Sequence, residues 1–553
     1  MDLKKLKDRI NSNLSQMETE QSSWRSHWEE IGEQCYPRAG RFSDGSDTVN
    51  KGEKVNQKIV NGAPIRALRI FGAGYQGGMT NPARPWFKLG LSDKDLMEYG
   101  PVRQWLYQVE RLLYEIFARS NTYNTFHNTY LELGAFGTGA FMVTEDYDSV
   151  IRCHPFTVGE YYLSMGSDLR VDTCYRKMFM TVRQVVGRFG ADNCSGTVRA
   201  MYDKGNYNQW VPVVHAIEPN VEQDLGRHDW AGKPFRSTYF EEGGSDRFLR
   251  LAGFEENPII SPRFTVIGSN IYGYSPMMDA LGDCKRLQKT ETKSLVALDK
   301  MVDPPLVGPS ALKMAAVNTM PRGITYLDED NGHGLRSLYD VRFDIGAAEQ
   351  KIQQIKQDIG EMLYNDLFMM LIQSDRRQIT ATEVAEKHDE KLSQLGPALT
   401  RLQEELLDKM IDRTFAVASR AGLIPPAPEE IQGMPLRIDY VSVLAQAQKM
   451  SGIMAIEQLS GFVGNMAGVN PQILDKFDMD EAVDQYADMV GVPPNLVVPD
   501  EAVAQIRQRR AQAQAAQEQQ AQMQGMVQGA KTLSETDVSG ENNALSMLLG
   551  GLQ

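Results

Sequence analysis

The sequence predicts an α+β fold made of several packing units, and three observations carry that prediction. Long N-terminal stretches place apolar side chains at helical intervals. Between roughly residues 139 and 267 the pattern changes to short β-rich runs. Two long helical stretches, 276–302 and 347–373, then enclose a compact insert. The chain has 553 residues, about three times a common domain length. Its hydrophobic share of 42% and charged share of 24% are ordinary globular usage, which excludes wholesale disorder and a fibrous repeat.

Residues 3–35 carry Leu3, Leu6, Ile10, Leu14, Trp24, Trp28 and Ile31 at helical spacing, and Pro37 stops the pattern, so one long surface helix or two is expected. Residues 53–79 read as helical with a break at Asn61-Gly62-Ala63-Pro64; Pro64 opens the second piece and Gly77-Gly78 closes it. From Gly100-Pro101, the set Val102, Trp105, Leu106, Val109, Leu112, Leu113, Ile116 and Phe117 gives the clearest amphipathic helix. The β-rich part follows as FMVTEDY, VIRCHPF, WVPVVHAI and PIISPRFTVI, with a helix near 181–189.

Ser275-Pro276 opens the helix 276–302, with serine as cap and proline in the first turn, and Asp303-Pro304-Pro305 ends it. The insert 303–345 has β character. The second helix, 347–373, carries Ile352, Ile355, Ile359, Met362 and Leu363 on one face. After the polar turn Ser374-Asp375-Arg376-Arg377-Gln378, a third long helix repeats Leu392, Leu395, Leu399, Leu402 and Leu406, and Gly396-Pro397 is expected to kink it. Beyond Pro425-Pro426 the chain reads as helical and loop-rich to Pro499. Residues 501–530 form an Ala/Gln-rich helical segment, and the last twenty or so residues a flexible tail.

Catalytic and cofactor motifs do not emerge. There is no G-x-x-x-x-G-K-[ST], H-E-x-x-H or G-x-S-x-G. Leu133 to Ala140 (LGAFGTGA) follows a helix and leads into a strand, the reverse of a dinucleotide loop, and reads as a tight glycine turn. Asp328 to Gly334 lacks the fifth ligand and the bidentate glutamate of a calcium loop and reads as a solvated turn. Cys35, Cys153, Cys174, Cys194 and Cys284 are odd in number and scattered, so reduced thiols are expected. A metal-dependent nuclease would need scattered carboxylates such as Asp279 and Asp283, which share a helical face; solvated acids are the ordinary reading. Arg376 and Arg377 either cap the preceding helix or reach for phosphate. No apolar run approaches the roughly 20 residues that span a bilayer, and the N-terminal MDLKKLKDRINSNLSQ lacks a secretory apolar core, so no membrane association and a cytoplasmic folding site are expected.

Three stretches resemble the head-to-tail connector, or portal, family of short-tailed bacteriophages: GYQGGMTNPARPWF (Gly74 to Phe87, with Trp24 and Trp28 upstream), LGAFGTGAFMV (Leu133 to Val143) and NIYGYSPMMDALGDCKRLQ (Asn270 to Gln288). The resemblance spans about residues 20–420 and implies a portal-type ring subunit. Its parts would be an α/β wing (1–275), stem helices (276–302 and 347–373), a small α/β clip (303–346) and a tunnel loop (374–380). A kinked helix with further wing and crown (381–499), a barrel helix (500–530) and a flexible tail (531–553) would follow. Tyr272, Gly273, Ser275 and Pro276 would lead into the stem, Ser374, Asp375, Arg376, Arg377 and Gln378 would face the DNA, and Gly396 and Pro397 would make the kink.

The same resemblance implies a non-enzymatic homo-dodecamer at one capsid vertex, a channel for DNA packaging and ejection, with no cofactor or metal. Its partners would be the terminase large subunit, tail adaptor and tail proteins, major capsid protein and scaffold, and double-stranded DNA passing without sequence specificity. It would reside in the virion, and in the host cytoplasm during assembly. Another virion structural protein, such as a tail adaptor, is the alternative. The formal net charge of -14 argues against a tight nucleic-acid grip, so the expected channel wall is acidic or mixed, with one weakly basic ring from Arg376 and Arg377.

Overall fold

Strands form here where alternating β-branched and aromatic residues find a partner, and helices where an apolar stripe meets a core; the computed structural model shows both. It describes residues 3–37, 39–42, 57–93, 96–97, 99–244, 247–308, 336–337, 344–369, 395–442 and 444, and farther on 456–457, 459–468, 472, 476–490, 498, 503–515 and 523–524. The chain divides into two units, Met1–Met450 and Ser451–Gln553.

In the first unit, helix α1 (Leu3–Gln34) is a single helix of 32 residues. Its N-terminal half lays Leu6, Ile10, Leu14 and Met17 on a sheet face with Tyr162, Tyr175, Val214, Ala216 and Phe240, while Trp28 and Ile31 enter the main core. Helix α2 (Ala63–Met79) begins with proline in its first turn. Residues 57–62 are not helical, contrary to the expectation for 53–79. The backbone N–H groups of Val60 and Asn61 both donate to Gln288 Oε1 at 2.8 Å, a distant partner that holds them out of a helix. Strand β1 (Phe87–Gly90) follows, then α3 (Gly100–Arg119) and α4 (Thr122–Phe136).

The β-rich part forms two antiparallel sheets. Strands β2 (Ala140–Asp146), β3 (Val150–Phe156) and β9 (Ile259–Ile260) make the smaller, in the order β3-β2-β9. The larger joins β4 (Tyr161–Met165), β5 (Val171–Thr181), β6 (Trp210–Pro219), β7 (Phe235–Glu241) and β8 (Arg250–Phe254) in sequence order. Between β5 and β6 lie α5 (Val182–Phe189), with a Thr181/Gln184 capping box, and α6 (Gly196–Asp203), which periodicity did not single out.

Helix α7 (Pro276–Val302) packs beside α8 (Ile345–Met362). At 27 and 18 residues they are unequal, because the stretch expected to run to 373 breaks at Leu363–Tyr364, where Tyr364 takes φ 56°. The helix resumes over 365–369, and the break turns Leu367 and Phe368 into the core, with Phe368 edge-on to Phe71 at 5.6 Å. Strands β10 (Leu306–Val307) and β11 (Arg336–Ser337) pair antiparallel; residues 309–335 and 338–343 lie outside the described residues.

Among the described residues a helix runs from 395, widens to a π-helical stretch at Gln403–Asp408 and continues as α9 (Lys409–Arg420). Leu395, Leu399, Leu402 and Leu406 are buried, as their spacing predicts. Gly396 and Pro397 lie at the edge of the described part of this helix. The described part also carries a π-helical irregularity at 403–408; Leu392 and the rest of 381–394 lie outside the described residues. The stretch beyond Pro426 also contains β12 (Arg437–Tyr440), paired antiparallel with β1. That strand was not expected, because four residues have no legible period without their distant partner.

In the second unit, helices run over 459–467, as α10 (Met479–Val490) and over 503–515. Arg507 holds Asp480 through two hydrogen bonds of 2.6 and 2.8 Å. The rest of 501–530, apart from 523–524, and all of 531–553 lie outside the described residues.

Candidate functional site

The segment preceding α7 is threaded through the core rather than laid on it. Gly137 closes α4 in the left-handed conformation at φ 76°, and its N–H donates to Leu133 O at 3.0 Å. This turn brings residues 137–139 against 262–264 and 273: Phe264 N donates to Gly137 O at 2.9 Å, Gly139 N to Pro262 O at 3.1 Å, and Gly273 N to Thr138 Oγ1 at 2.8 Å. Gly137 and Gly273 meet backbone to backbone, so a Cβ on either would strike the other's carbonyl oxygen.

Ser275 serves both sides of this crossing. Its Oγ donates to Ala135 O at 2.8 Å and accepts from Met278 N at 3.0 Å, which ties the last turn of α4 to the first turn of α7. Pro276 occupies the first turn and is buried. Tyr272 is buried against Trp28, edge-on at 5.1 Å, and its hydroxyl accepts from Gln21 Nε2 at 2.8 Å and Leu163 N at 3.0 Å. Burial, first of all, pushes the Tyr272 phenol above its ordinary range. The Trp28 indole donates to Phe136 O at 3.0 Å. The structure therefore brings Tyr272, Gly273, Ser275 and Pro276 together with the Leu133–Val143 stretch and the Trp24/Trp28 pair.

The Gly74–Phe87 stretch joins the same core from another side. Gly74 leaves the space that Phe368 fills, and Tyr75 stacks on Tyr130 at 5.7 Å. The Trp86 and Phe87 amides both donate to Tyr114 Oη at 2.8 Å, and that hydroxyl donates to Phe87 O at 2.7 Å.

Two buried polar centres went unseen in the sequence. Arg263, 6% exposed, forks onto Glu405 with its Nη2 at 2.6 Å and also donates to the Leu169 and Asn270 carbonyls, binding the helix at 403–408 to the crossing. Glu132 is buried on α4, accepting from Thr157 Oγ1 at 2.7 Å, and burial pushes its carboxyl up to about 8. Neither declares itself in one dimension, since each partner lies far along the chain.

Asp279 and Asp283 do not converge with further acids: Asp283 faces Arg286 at 3.6 Å, and no group of three or more His, Cys, Asp or Glu suited to a metal occurs among the described residues. All five cysteines are free and buried. A hydrogen bond with Cys284, then burial, holds the Cys35 thiol well above its usual range. Ser374, Asp375, Arg376, Arg377, Gln378 and the Asp328–Gly334 turn lie outside the described residues.

The family model described as bacteriophage head to tail connecting protein matches residues 7–497. The chain belongs to this family. Two relatives of this connector are the portal protein of Salmonella phage epsilon15, 45% identical over 537 residues, and the probable portal protein of Bordetella phage BPP-1, 42% identical over 534 residues. Each alignment covers 96% of both chains. Distant likenesses to solved gene transfer agent particles, a native virion and a native neck, have 13% and 14% identity and TM-scores of 0.33 and 0.35. They cover 78% of this chain and 90% of the other. The connector is a structural component of the virion at the head-to-tail junction, with a mixed helix-and-sheet fold, and is not an enzyme.

Proposed function

We propose that this connector forms a closed ring of twelve copies at one capsid vertex, through which double-stranded DNA enters during packaging and leaves during ejection. The match over residues 7–497 to the connecting-protein family carries this reading. Within it, residues 1–275 act as the wing, 276–302 and 347–373 as the stem, the latter broken at Leu363–Tyr364, and 303–346 as the clip. Residues 374–380 act as the tunnel loop, and 381–499 as kinked helix, further wing and crown. Residues 500–530 form the barrel helix and 531–553 the flexible tail. Tyr272, Gly273, Ser275 and Pro276 anchor the stem to the wing, and Gly396 and Pro397 turn the helix that follows the loop. A rigid anchor there suits a subunit whose neighbours must all meet at one angle to close. Leu295, Val296, Leu298, Met301 and Val302 on α7 are exposed apolar side chains that a neighbouring copy would cover.

In this reading the clip receives the terminase large subunit during filling and tail adaptor and tail proteins afterwards, the capsid protein and scaffold contact the ring during assembly in the host cytoplasm, and Ser374 to Gln378 face the DNA. Twelve copies of the 62.0 kDa chain make about 744 kDa. Native mass with averaged electron micrographs should give that species with a central hole; a small closed dimer would refute the ring. Deleting 306–340 should leave wing folding intact and abolish terminase and adaptor binding. Replacing Arg376 and Arg377 by glutamine should alter packaging or ejection, and unchanged rates for both would remove them from the channel.

A further inference from the structure

The larger sheet carries a transverse row of charge and aromaticity that the crossing at Ser275 does not use. Strand register sets Arg176 opposite His215, His215 opposite Tyr239, and Tyr239 opposite Arg250. Residues directly opposite in antiparallel strands share a face, so the four side chains form one line across β5 to β8. His215 stacks on Tyr239 at 3.8 Å with the rings 6° apart, and His215 Nε2 is 2.9 Å from Ser237 Oγ. From α5, the Arg188 guanidinium lies over Tyr239 at 5.2 Å and donates to its hydroxyl at 3.3 Å. On the smaller sheet, Arg152, His154 and Phe156 alternate on one face of β3, and the Arg176 guanidinium sits 4.3 Å over the Phe156 ring.

Four arginines and two histidines thus gather in a chain whose net charge is -14. Among the described residues, Arg152, Arg188 and Arg250 form no ion pair. Arg176 has only a long contact with Glu160, 3.6 Å, and Glu160 also faces Arg41 at 3.5 Å; the Arg176 Nε is buried without a hydrogen-bond partner. Asp146 is the carboxylate facing His154. Burial first, then Arg176, Arg188, His154 and Arg250, disfavours the charged form of His215, so the exposed Arg152, Arg188 and Arg250 guanidiniums surround a buried His215–Tyr239 stack. Four arginines against the two nearby carboxylates Glu160 and Asp146 leave an excess of positive charge, and an arginine fork matches a phosphate oxygen pair.

We infer that Arg152, Arg176, Arg188 and Arg250, around the His215–Tyr239 stack, form a binding site for the phosphodiester backbone of duplex DNA. This rests on DNA being what the connector passes, and it places a second phosphate contact on the β-sheet part of the chain, separate from the loop at 374–380. Phosphate is favoured over carboxylate because several forks converge from two sheets and a helix, a spread that suits the paired oxygens of successive backbone groups.

The test is anisotropy of a labelled short DNA duplex against the purified full-length protein in the assembly it forms, titrated from low to moderate salt. The exposed arginines are replaced together as Arg152→Gln, Arg188→Gln and Arg250→Gln, with Lys5→Gln, Arg66→Gln and Lys204→Gln as an equal charge change elsewhere. The site variant should lose about tenfold or more in affinity at low salt, and its log–log salt slope should shrink by about two to three, while the control stays within about twofold. Unchanged affinity in the site variant, or an equal loss in the control, overturns the site. Displacement of the duplex by poly-glutamate as readily as by unlabelled DNA, at equal charge, overturns it in favour of an acidic protein segment. Native mass of the same samples is read in parallel. Absence of a ring in the wild type counts against the ring reading, while the binding difference still decides the site.

Discussion

Gly137 and Gly273 show how single residues hold the crossing. An alanine at Gly137 meets both the left-handed φ of 76° and the Gly273 carbonyl, so Gly137→Ala should lower unfolding free energy by about 3 kcal/mol or more. Gly205 has a similar φ of 79° with open space around it, and Gly205→Ala should cost only about 1 kcal/mol. Urea midpoints for the two variants separate backbone strain from collision; equal losses would refute the backbone-to-backbone contact. Glu132 offers a pH test. Its folded carboxyl titrates near 8 against an ordinary 4.5, so the folded state holds the proton more tightly. This contribution to stability is full below about pH 4.5, falls as the unfolded state ionises, and levels off above about pH 8. Glu132→Gln should flatten that part of the stability profile, and an unchanged slope between those limits would contradict the raised value.

At the scale of elements, α1 is pinned to the larger sheet by the Glu218 carboxylate and by the Glu18–Lys177 ion pair. Glu218 accepts from Arg9 at 2.6 Å, from the buried Arg236 at 2.7 Å and from Tyr175 Oη at 2.5 Å. Glu218→Ala takes that charge away from Arg236, 1% exposed, and should cost about 3–5 kcal/mol, with amide exchange rising first in α1. Uniform exchange across the sheet with α1 unaffected would show that the apolar contacts of Leu6, Ile10 and Leu14, with the Glu18–Lys177 pair, suffice. Ser275→Ala removes the cap of α7 and leaves the Ala135 carbonyl without its donor, an expected loss of about 1–2 kcal/mol in urea unfolding. The serine and proline at 275–276 announced this helix start in one dimension. The second half of the serine's work, the bond to α4, could not be read there.

For the whole molecule, charge sets opposite salt dependences. A ring of twelve chains would carry 12 × (-14) = -168 formal charges, and that repulsion is screened by salt. Assembly should therefore rise between about 0.05 and 0.5 M salt in native mass measurements. Binding of duplex DNA to the arginine row should fall over the same range, because each phosphate contact releases counterions. A ring yield that drops with salt would show that inter-subunit ion pairs outweigh net repulsion.

Helices with long apolar stripes were legible from spacing, caps and prolines: α1, α3 and α7 begin where Leu3, Gly100-Pro101 and Ser275-Pro276 place them. Their period, caps and prolines are local, and local terms dominate where one face repeats over many turns. The break at Tyr364, the strand Arg437–Tyr440, the non-helical approach to α2 and the row from Arg176 to Arg250 were decided by tertiary structure. Each depends on a partner far along the chain: the space beside Gly74, the edge of Phe87–Gly90, the Gln288 amide, or the register of four strands. A single position's sequence carries no record of what will lie opposite it once the chain has closed.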